Sequence, residues 1–228
     1  TLFNGGRGAS TIIKSLKNYK NLKISSVVNA YDDGKSTGEI RFFFDMLGPS
    51  DLRKVQSIFL NENDKFFKGN LNLFNYRLPQ KISNSSAKKL LKNLFLDQKL
   101  NKNNFEIKEE IFFELRLFIK IFLNKLKNLE IQKKRKFNFS DCSIMNCIYA
   151  GAYLHLNRDF SKTVKYISDL FGIKNNILPN NNENLKLIAL RKNGDVLMTE
   201  SDIVNLRSNV EIKKIFLIKY KHNLDHRN

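Results

Sequence analysis

Two short apolar segments, each followed by a glycine-containing turn and a helical pattern, open this 228-residue chain and constrain its fold most. Residues 1–3 lead into a glycine loop at 5–10, and a helical pattern of apolar residues follows. The β-rich stretch 24–31 then ends at Asp-Asp-Gly, before a second helical segment at 39–47. Two strands joined by one helix predict a parallel pair with a right-handed crossover.

The glycine loop is the first candidate site. Glycines let backbone N–H groups approach a phosphate, and the helix start adds further donors. Arg7 would reach an outer phosphate oxygen, and Ser10 or Thr11 would cap the helix. Because the loop matches neither the Walker pattern nor the full dinucleotide fingerprint, a tight packing turn is the alternative. The candidate phosphate-binding residues of this loop are Gly5, Gly6, Arg7, Gly8, Ala9 and Ser10.

The second candidate lies after the next strand, at the edge where open α/β sheets bind ligands. Asp32 and Asp33 are adjacent, so their side chains point in opposite directions and have different roles. One would hold Mg²⁺ and the other would orient or deprotonate an acceptor group. Ser36, Thr37 and Gly38 follow at a helix start. The alternative is a pair of capping aspartates in an ordinary turn.

Two further helix starts carry polar residues. Asp51 is predicted as the N-cap of a helix over 52–60, and Arg53 in its first turn opposes the helix dipole. That position predicts a specific partner for Arg53, a carboxylate or a phosphate. Ser143 opens an apolar helix in which Asn146 is polar, and a buried Asn must hydrogen-bond to the core or to a ligand.

The rest of the chain reads as part of one domain over 1–228. Residues 1–60 form a nucleotide-binding βαβ core, 61–137 a helical insertion rich in Lys and Asn, and 138–228 helices, a β-hairpin and a last strand. The predicted elements are a marginal helix at 86–96, an amphipathic helix at 105–129, helices at 143–156 and 160–171, a hairpin over 185–200 and a strand at 211–220. The basic run 133–136 is predicted as a solvated loop.

Charge and cysteine usage limit the function classes. Lys+Arg 40 against Asp+Glu 22 gives a net charge of +18, which permits partners that carry phosphate. Two explanations of this charge are open: a general compositional bias toward Lys and Asn, or a basic surface that was selected for binding. Cys142 and Cys147 lack metal or redox spacing, so we expect buried free thiols. The apolar run 111–123 is interrupted by charges and cannot span a bilayer, and the lack of a leader predicts a cytoplasmic protein.

The four candidate segments, in this order, resemble the family of the phospholactate transferase CofD and the YvcK proteins, which are called gluconeogenesis factors. The stretch 151–204 also looks like the middle of that family. Three departures are Met145 in place of a family glycine, a longer 61–137 region, and the lack of a following Gly-Pro-Gly-Ser segment, so that the resemblance covers about two-thirds of the family domain. The matching residues are Gly5, Gly6 and Gly8; Asp32, Asp33, Gly34, Ser36, Gly38 and Arg41; Pro49, Asp51 and Arg53; and Ser143, Ile144 and Asn146.

The resemblance implies a Rossmann-like, doubly wound and mostly parallel sheet that binds a nucleoside diphosphate moiety. CofD moves a phospholactyl group from a guanosine diphosphate donor to a deazaflavin alcohol with Mg²⁺, whereas YvcK proteins bind UDP-N-acetylglucosamine and influence carbon use and cell shape. Carried over by position, the loop 5–10 would contact the diphosphate. Asp32 and Asp33 would interact with the acceptor and with Mg²⁺, and Asp33 would be the ligand of the metal. Ser36, Thr37 and Arg41 would line the pocket.

Three functions follow as hypotheses. The Asp-Asp-Gly-x-Ser form favours a YvcK-like regulator that binds a UDP-sugar. A homodimer is one arrangement open to this regulator, and we expect no membrane partner. The alternative is a CofD-like, Mg²⁺-dependent transferase. A basic nucleic-acid-binding module is the third; it depends on the +18 charge alone, and the placement of aromatic residues on core stripes counts against it.

Overall fold

The computed structural model describes residues 1–17, 19, 21–96, 105–199, 202–203 and 210–219. It confirms a mixed α/β fold with a parallel sheet. The strands are β1 (Leu2–Asn4), β2 (Ser25–Val28), β3 (Asn176–Pro179), β4 (Leu185–Arg191), β5 (Val196–Leu197) and β6 (Ile212–Lys219). The helices are α1 (Ser10–Lys17), α2 (Lys35–Phe44), α3 (Ser50–Phe59), α4 (Phe67–Asn75), α5 (Asn84–Phe95), α6 (Glu109–Gln132), α7 (Ile144–His155) and α8 (Phe160–Leu170).

The parallel sheet has the order β1-β2-β3, so the predicted parallel pair is confirmed and extended by one strand. Its inner face is buried at Val28 and Ile177. On the other face, Phe3, Val27 and Leu178 form one row across the three strands, and Phe3 and Leu178 are 82% and 42% exposed. Strand β3 was not predicted, because it has four residues and ends in proline, which is compatible with an edge strand.

Helical spacing in the predicted helix 105–129 places six apolar residues on one stripe, from Ile111 to Leu129, and α6 confirms this stripe. Five of its six residues are buried and Leu129 is half-buried. Helix α6 packs so closely on α7 that a Cβ at Gly151 would lie 1.9 Å from the carbonyl oxygen of Phe118. Glycine is therefore required at this crossing. The five buried residues of the stripe are Ile111, Leu115, Phe118, Phe122 and Leu126.

Several predicted boundaries need correction. Helix α2 begins at Lys35, four residues earlier than predicted, because Gly34 supplies an extended N-cap. Asp51 is not an N-cap, because α3 begins at Ser50 and Pro49 occupies the cap position. The marginal helix is a full helix, α5, whose N-cap Ser83 accepts a hydrogen bond from the backbone N–H of Ser86. Helix α4 was not predicted at all.

The region 61–137 shares one hydrophobic core with the flanking segments, and part of the predicted loops there, 97–104, lies outside the described residues. The basic run is only partly a solvated loop. Lys133 Nζ lies 4.4 Å from the ring centroid of Phe42, and the Arg135 guanidinium lies 4.8 Å from it. Cys142 and Cys147 are buried and unbridged, as predicted.

The predicted hairpin and last strand form a second, antiparallel sheet in the order β5-β4-β6. The predicted ends at Glu200 and Tyr220 lie outside the described residues. Among the described residues, we find no helix with the length and apolar character needed to cross a membrane.

Candidate functional site

The glycine loop lies against the first turn of α3. A Cβ at Gly6 would be 2.4 Å from Asp51 Oδ1, and one at Gly5 would be 3.7 Å from Asp51 Oδ2. Asp51 Oδ1 also accepts a hydrogen bond from Lys54 Nζ at 2.7 Å. The close approach at Gly6 brings the loop and α3 together, whereas Gly8 faces open space. The Arg7 backbone lies in a 3-10 turn, and its side chain lies outside what the structure describes.

The two adjacent aspartates differ in their surroundings. Asp32 Oδ1 accepts from the N–H of Gly34 at 2.9 Å, and Asp32 Oδ2 accepts from Thr37 Oγ1 at 3.1 Å. Asp32 is thus fixed across the turn between β2 and α2. Asp33 lines a cavity on the other side of that turn, and its carbonyl oxygen lies 2.2 Å from where a Cβ at Gly38 would be.

A buried polar network joins the starts of α2, α3 and α7. Thr37 Oγ1 lies 2.6 Å from Ser50 Oγ, and Asn146 Nδ2 donates to Ser50 Oγ at 3.1 Å and to Ser36 Oγ at 3.3 Å. All four side chains are buried. Ser143, at the N-cap of α7, is also buried, and its Oγ makes no hydrogen bond. Four predicted site residues, Ser36, Thr37, Asn146 and Ser143, therefore lie inside the protein. The first three, together with Ser50, join the starts of the three helices.

Replacing Asn146 with alanine is expected to lower the free energy of unfolding by about 1–3 kcal/mol, because it removes the shared partner of two buried hydroxyls. Urea denaturation measures the change. Ser85→Ala, at an exposed serine of α5, is the matched control and should cost less than about 0.5 kcal/mol. Equal losses in the two variants would show that the network contributes nothing to stability.

Two of the three predicted arginines, Arg41 and Arg53, contact backbone carbonyls. Arg41 Nη1 donates to the carbonyl of Tyr31 at 2.6 Å, and Arg41 Nη2 donates to Asn184 Oδ1 at 3.1 Å and to the carbonyl of Leu185. Arg41 therefore ties the antiparallel sheet to the end of β2. Arg53 donates to the carbonyl of Phe74 and so ties α3 to α4. The carboxylate or phosphate partner of Arg53 stays a prediction.

A cavity of about 230 Å³ lies between α2 and the segment around β4. It includes Asp33, Gly38 and Arg41 from the predicted set, while the glycine loop and Asp51 are not among its lining residues. Sequence reasoning missed the remaining lining residues because nothing local distinguishes them. They are Phe42, Asp45, Asn184, Leu185, Lys186 and Thr199.

Asp45 has a geometry that its sequence position does not reveal. It ends α2 in the left-handed region, with φ of 50°, which non-glycine residues rarely adopt. Its Oδ1 accepts from Asn184 Nδ2 at 2.8 Å. Nearby, burial lowers the pKa of Lys133, and the attraction of the Asp45 carboxylate partly opposes that shift. The hydrogen bond from Asn184 thus holds the Asp45 carboxylate beside the cavity.

A second groove, of about 530 Å³, lies on the other side of the α2 start and includes Lys35, Ser36 and Asp141. Asp141 Oδ1 accepts from Arg77 Nε at 2.6 Å, and Asp141 Oδ2 lies 3.6 Å from Lys35 Nζ. The hydrogen bond from Arg77 is the largest cause that holds the pKa of Asp141 below its usual range, with Lys35 adding to it. In this groove, Asp141 is therefore paired with two cations.

The described residues contain no group of three or more His, Cys, Asp or Glu side chains that could hold a metal ion. Mg²⁺ often needs only one or two carboxylates, because substrate phosphates complete its coordination. Two aspartates, Asp33 and Asp45, line the cavity, which is compatible with a magnesium site of this kind.

Comparisons with known proteins identify relatives. A family model described as 2-phospho-L-lactate transferase CofD matches residues 1–226. A Streptococcus pyogenes serotype M1 protein provisionally named a gluconeogenesis factor is 39% identical over 77 residues, 34% of this chain and 22% of the relative. The gluconeogenesis factor of Listeria monocytogenes is 36% identical over 76 residues, 33% of this chain and 22% of the relative.

A crystal structure of a UPF0052 family protein from Bacillus halodurans shares the fold. Its TM-score is 0.58 at 20% identity, and the match covers 95% of this chain and 51% of that chain. The chain therefore spans about half of that solved structure, and its matched segment spans about a fifth of the curated relatives.

Proposed function

Since this chain belongs to the CofD family, we propose that it binds a nucleoside diphosphate ligand, specifically a UDP-sugar, and that it acts as a regulator in carbon or cell-envelope metabolism. The name gluconeogenesis factor, carried by relatives that match about a third of this chain, supports the regulatory role. One observation carries the proposal. Strands β1 and β2 pair in parallel up to Asn4 and Val28, so the glycine loop and the Asp32-Asp33 turn leave neighbouring strand ends.

The diphosphate and the Mg²⁺ that accompanies it would be bound by different groups of the protein. The backbone N–H groups of residues 5–10 and the start of α1 supply donors for the diphosphate, and Gly8 leaves room for its approach. Asp32 serves as the turn residue that fixes the start of α2, because both of its oxygens accept hydrogen bonds there. Asp33 lines the cavity next to this turn, and it is the residue we propose for Mg²⁺. When bound, Mg²⁺ supplies positive charge that neutralises the phosphates.

The second candidate is a transferase, and the description of the matching family model favours it. In that reaction an acceptor hydroxyl forms a new O–P bond to the transferred group, and the bond between that phosphorus and the nucleotide leaving group breaks. The acceptor proton passes to a carboxylate, for which Asp33 is positioned at the cavity. Both candidate functions require that the protein binds a nucleotide, so nucleotide binding is tested first.

A thermal-shift series tests the proposal with UDP-N-acetylglucosamine, GDP, GTP and an unrelated RNA, each with and without Mg²⁺. A ligand at about 100 times its Kd adds about 2.7 kcal/mol of stability. We expect selective stabilisation by UDP-N-acetylglucosamine and its loss in Asp33→Ala. Asp169→Ala, at an exposed carboxylate that pairs with Lys165 on α8, is the control and should respond as the wild type does.

Other responses distinguish the alternatives. Stabilisation by guanine nucleotides instead of the UDP-sugar would favour the transferase. A response to RNA alone, weakening as salt rises, would contradict both nucleotide proposals.

A further inference from the structure

Strand β6 has the position of an edge strand but the apolar sequence of a covered one. In the antiparallel sheet it pairs with β4 on one side, and no described strand pairs with its other side, which we call the outer edge. The strand has eight residues and is about 27 Å long. An edge strand presents a row of backbone N–H and C=O groups with which another strand can pair.

Both faces of β6 are apolar. Side chains alternate between the two faces of a strand, so Ile215 and Leu217 lie on one face and Phe216 lies on the other. The exposed fractions of these three side chains are 57%, 44% and 42%. A strand with one solvated face normally alternates apolar and polar residues, whereas a strand covered on both faces has a continuous apolar run. The run 215–218 is therefore typical of a covered strand. The cross-strand partners on β4 are apolar as well: Ala189, Leu187 and Ile188.

Lysines lie at both ends of this apolar run. Lys213 and Lys214 precede it and Lys219 follows it, and all three are exposed. Lys219 Nζ lies 3.9 Å from Glu183 Oε2 at the surface. Lys213 and Lys214 form no ion pair with any residue that the structure describes. The outer edge thus combines an apolar centre with positive charge at its two ends.

This charge pattern disfavours a second copy of the chain as the partner. Two β6 strands paired antiparallel about Phe216 would place Lys213 of each copy opposite Lys219 of the other, and like charges directly opposite each other destabilise strand pairing. Lysine on an edge strand is a common protection against such self-association. An incoming strand with carboxylates at its ends and apolar residues between them would instead meet opposite charges at both ends.

We propose that the outer edge of β6 binds an extended segment of a partner protein, acidic at both ends and apolar in the middle, which adds a fourth strand to the antiparallel sheet. Backbone hydrogen bonds would supply affinity, and the apolar run with its flanking lysines would select the sequence of the partner. This binding involves the antiparallel sheet and requires no nucleotide, so it goes beyond the proposed function.

Titration of the full chain with two synthetic eight-residue peptides tests the assignment. The first peptide has two acidic residues at each end and four β-branched residues between them, and the second has lysines in place of the acidic residues. We expect the acidic peptide alone to bind, with a Kd below about 1 mM. Its binding should slow the backbone hydrogen exchange of residues 212–219.

Two N-methylated versions of the acidic peptide distinguish strand addition from binding through side chains alone. Only alternate N–H groups of an added strand face the neighbouring strand, and N-methylation removes the donor. Methylation of one alternate set should therefore abolish binding, and methylation of the other set should leave the affinity nearly unchanged.

Lys214→Glu tests the contribution of charge. This substitution should weaken binding of the acidic peptide about fivefold, because an exposed ion pair becomes a contact between like charges. Lys127→Glu, at an exposed lysine of α6, changes the net charge by the same amount and is the matched control. We expect it to change the affinity less than about twofold, since salt screens distant charges.

Four results would overturn the assignment: no binding of the acidic peptide, equal binding of the acidic and basic peptides, equal effects of the two methylation patterns, or equal effects of the two substitutions. A concentration-dependent dimer in sedimentation of the protein alone, with slow exchange over 212–219, would assign the outer edge to a second copy instead. The thermal-shift response to nucleotides tests the proposed function separately from all of these results.

Discussion

Replacing Glu130 with alanine is expected to lower the free energy of unfolding by about 2–3 kcal/mol, because it removes a buried charged acceptor of three hydrogen bonds. The Glu130 side chain is 3% exposed. Its oxygens accept from Lys88 Nζ at 2.6 Å, Asn84 Nδ2 at 2.7 Å and the N–H of Phe137 at 3.0 Å. Truncation leaves these three donors without their acceptor in a region that joins α5, α6 and the segment after α6. Urea denaturation measures the loss.

The same carboxylate predicts a pH dependence. Burial raises the pKa of Glu130, but the hydrogen bonds from Lys88, Phe137 and Asn84 outweigh it, so the net pKa is lowered. A carboxylate whose native pKa is below its unfolded value stabilises the fold above the unfolded value, and that stabilisation is lost as pH falls through the native pKa. The difference in the free energy of unfolding between the wild type and Glu130→Gln should therefore be largest near neutral pH and should become smaller below about pH 4.5.

Glu110→Ala provides the matched control for Glu130→Ala. Glu110 is exposed in the first turn of the same helix, where its favourable interaction with the helix dipole contributes less than about 1 kcal/mol. A loss at Glu130 no larger than the loss at Glu110 would contradict the assigned role of the buried network.

The sequence predicts well those elements whose stability comes from a repeating pattern. The stripe of α6 follows from helical periodicity, and the hairpin of β4 and β5 follows from the Asn193-Gly194 turn between two apolar runs. The parallel pairing of β1 and β2 follows from chain connectivity. Each of these elements has a local or topological cause that is visible without coordinates.

The partners of charged side chains could not be predicted in the same way. Arg41 and Arg53 are recognisable as charges near turns, but their acceptors are carbonyls brought close by the fold, at Leu185 and Phe74. Asp45 follows three phenylalanines, and its left-handed backbone and its contact with Asn184 depend on a sheet that lies 139 positions further along the chain. The glycine loop was found from its pattern, but its contact with Asp51 required the position of α3.

Gly38→Ala is expected to weaken nucleotide binding more than tenfold and to lower the free energy of unfolding by about 3 kcal/mol, as severe overpacking does. Alanine at an interior helix position normally stabilises by about 1 kcal/mol relative to glycine. Here the new Cβ would lie 2.2 Å from the carbonyl oxygen of Asp33, which is backbone and cannot rotate away. This steric overlap makes the substitution destabilising, because the overlap is removed only when α2 moves away from the turn that places Asp33 at the cavity.

Gly8→Ala is the matched control for the stability of Gly38→Ala, since a Cβ at Gly8 would have no atom within 4 Å. Its free energy of unfolding should be unchanged or slightly higher, as expected when alanine replaces an unstrained glycine. Titration with UDP-N-acetylglucosamine measures the loss of binding in Gly38→Ala under conditions where the variant is still folded. A Gly38→Ala protein as stable as Gly8→Ala, with wild-type affinity, would show that α2 adjusts without moving Asp33. The precise spacing between α2 and the end of β2 would then have no part in binding.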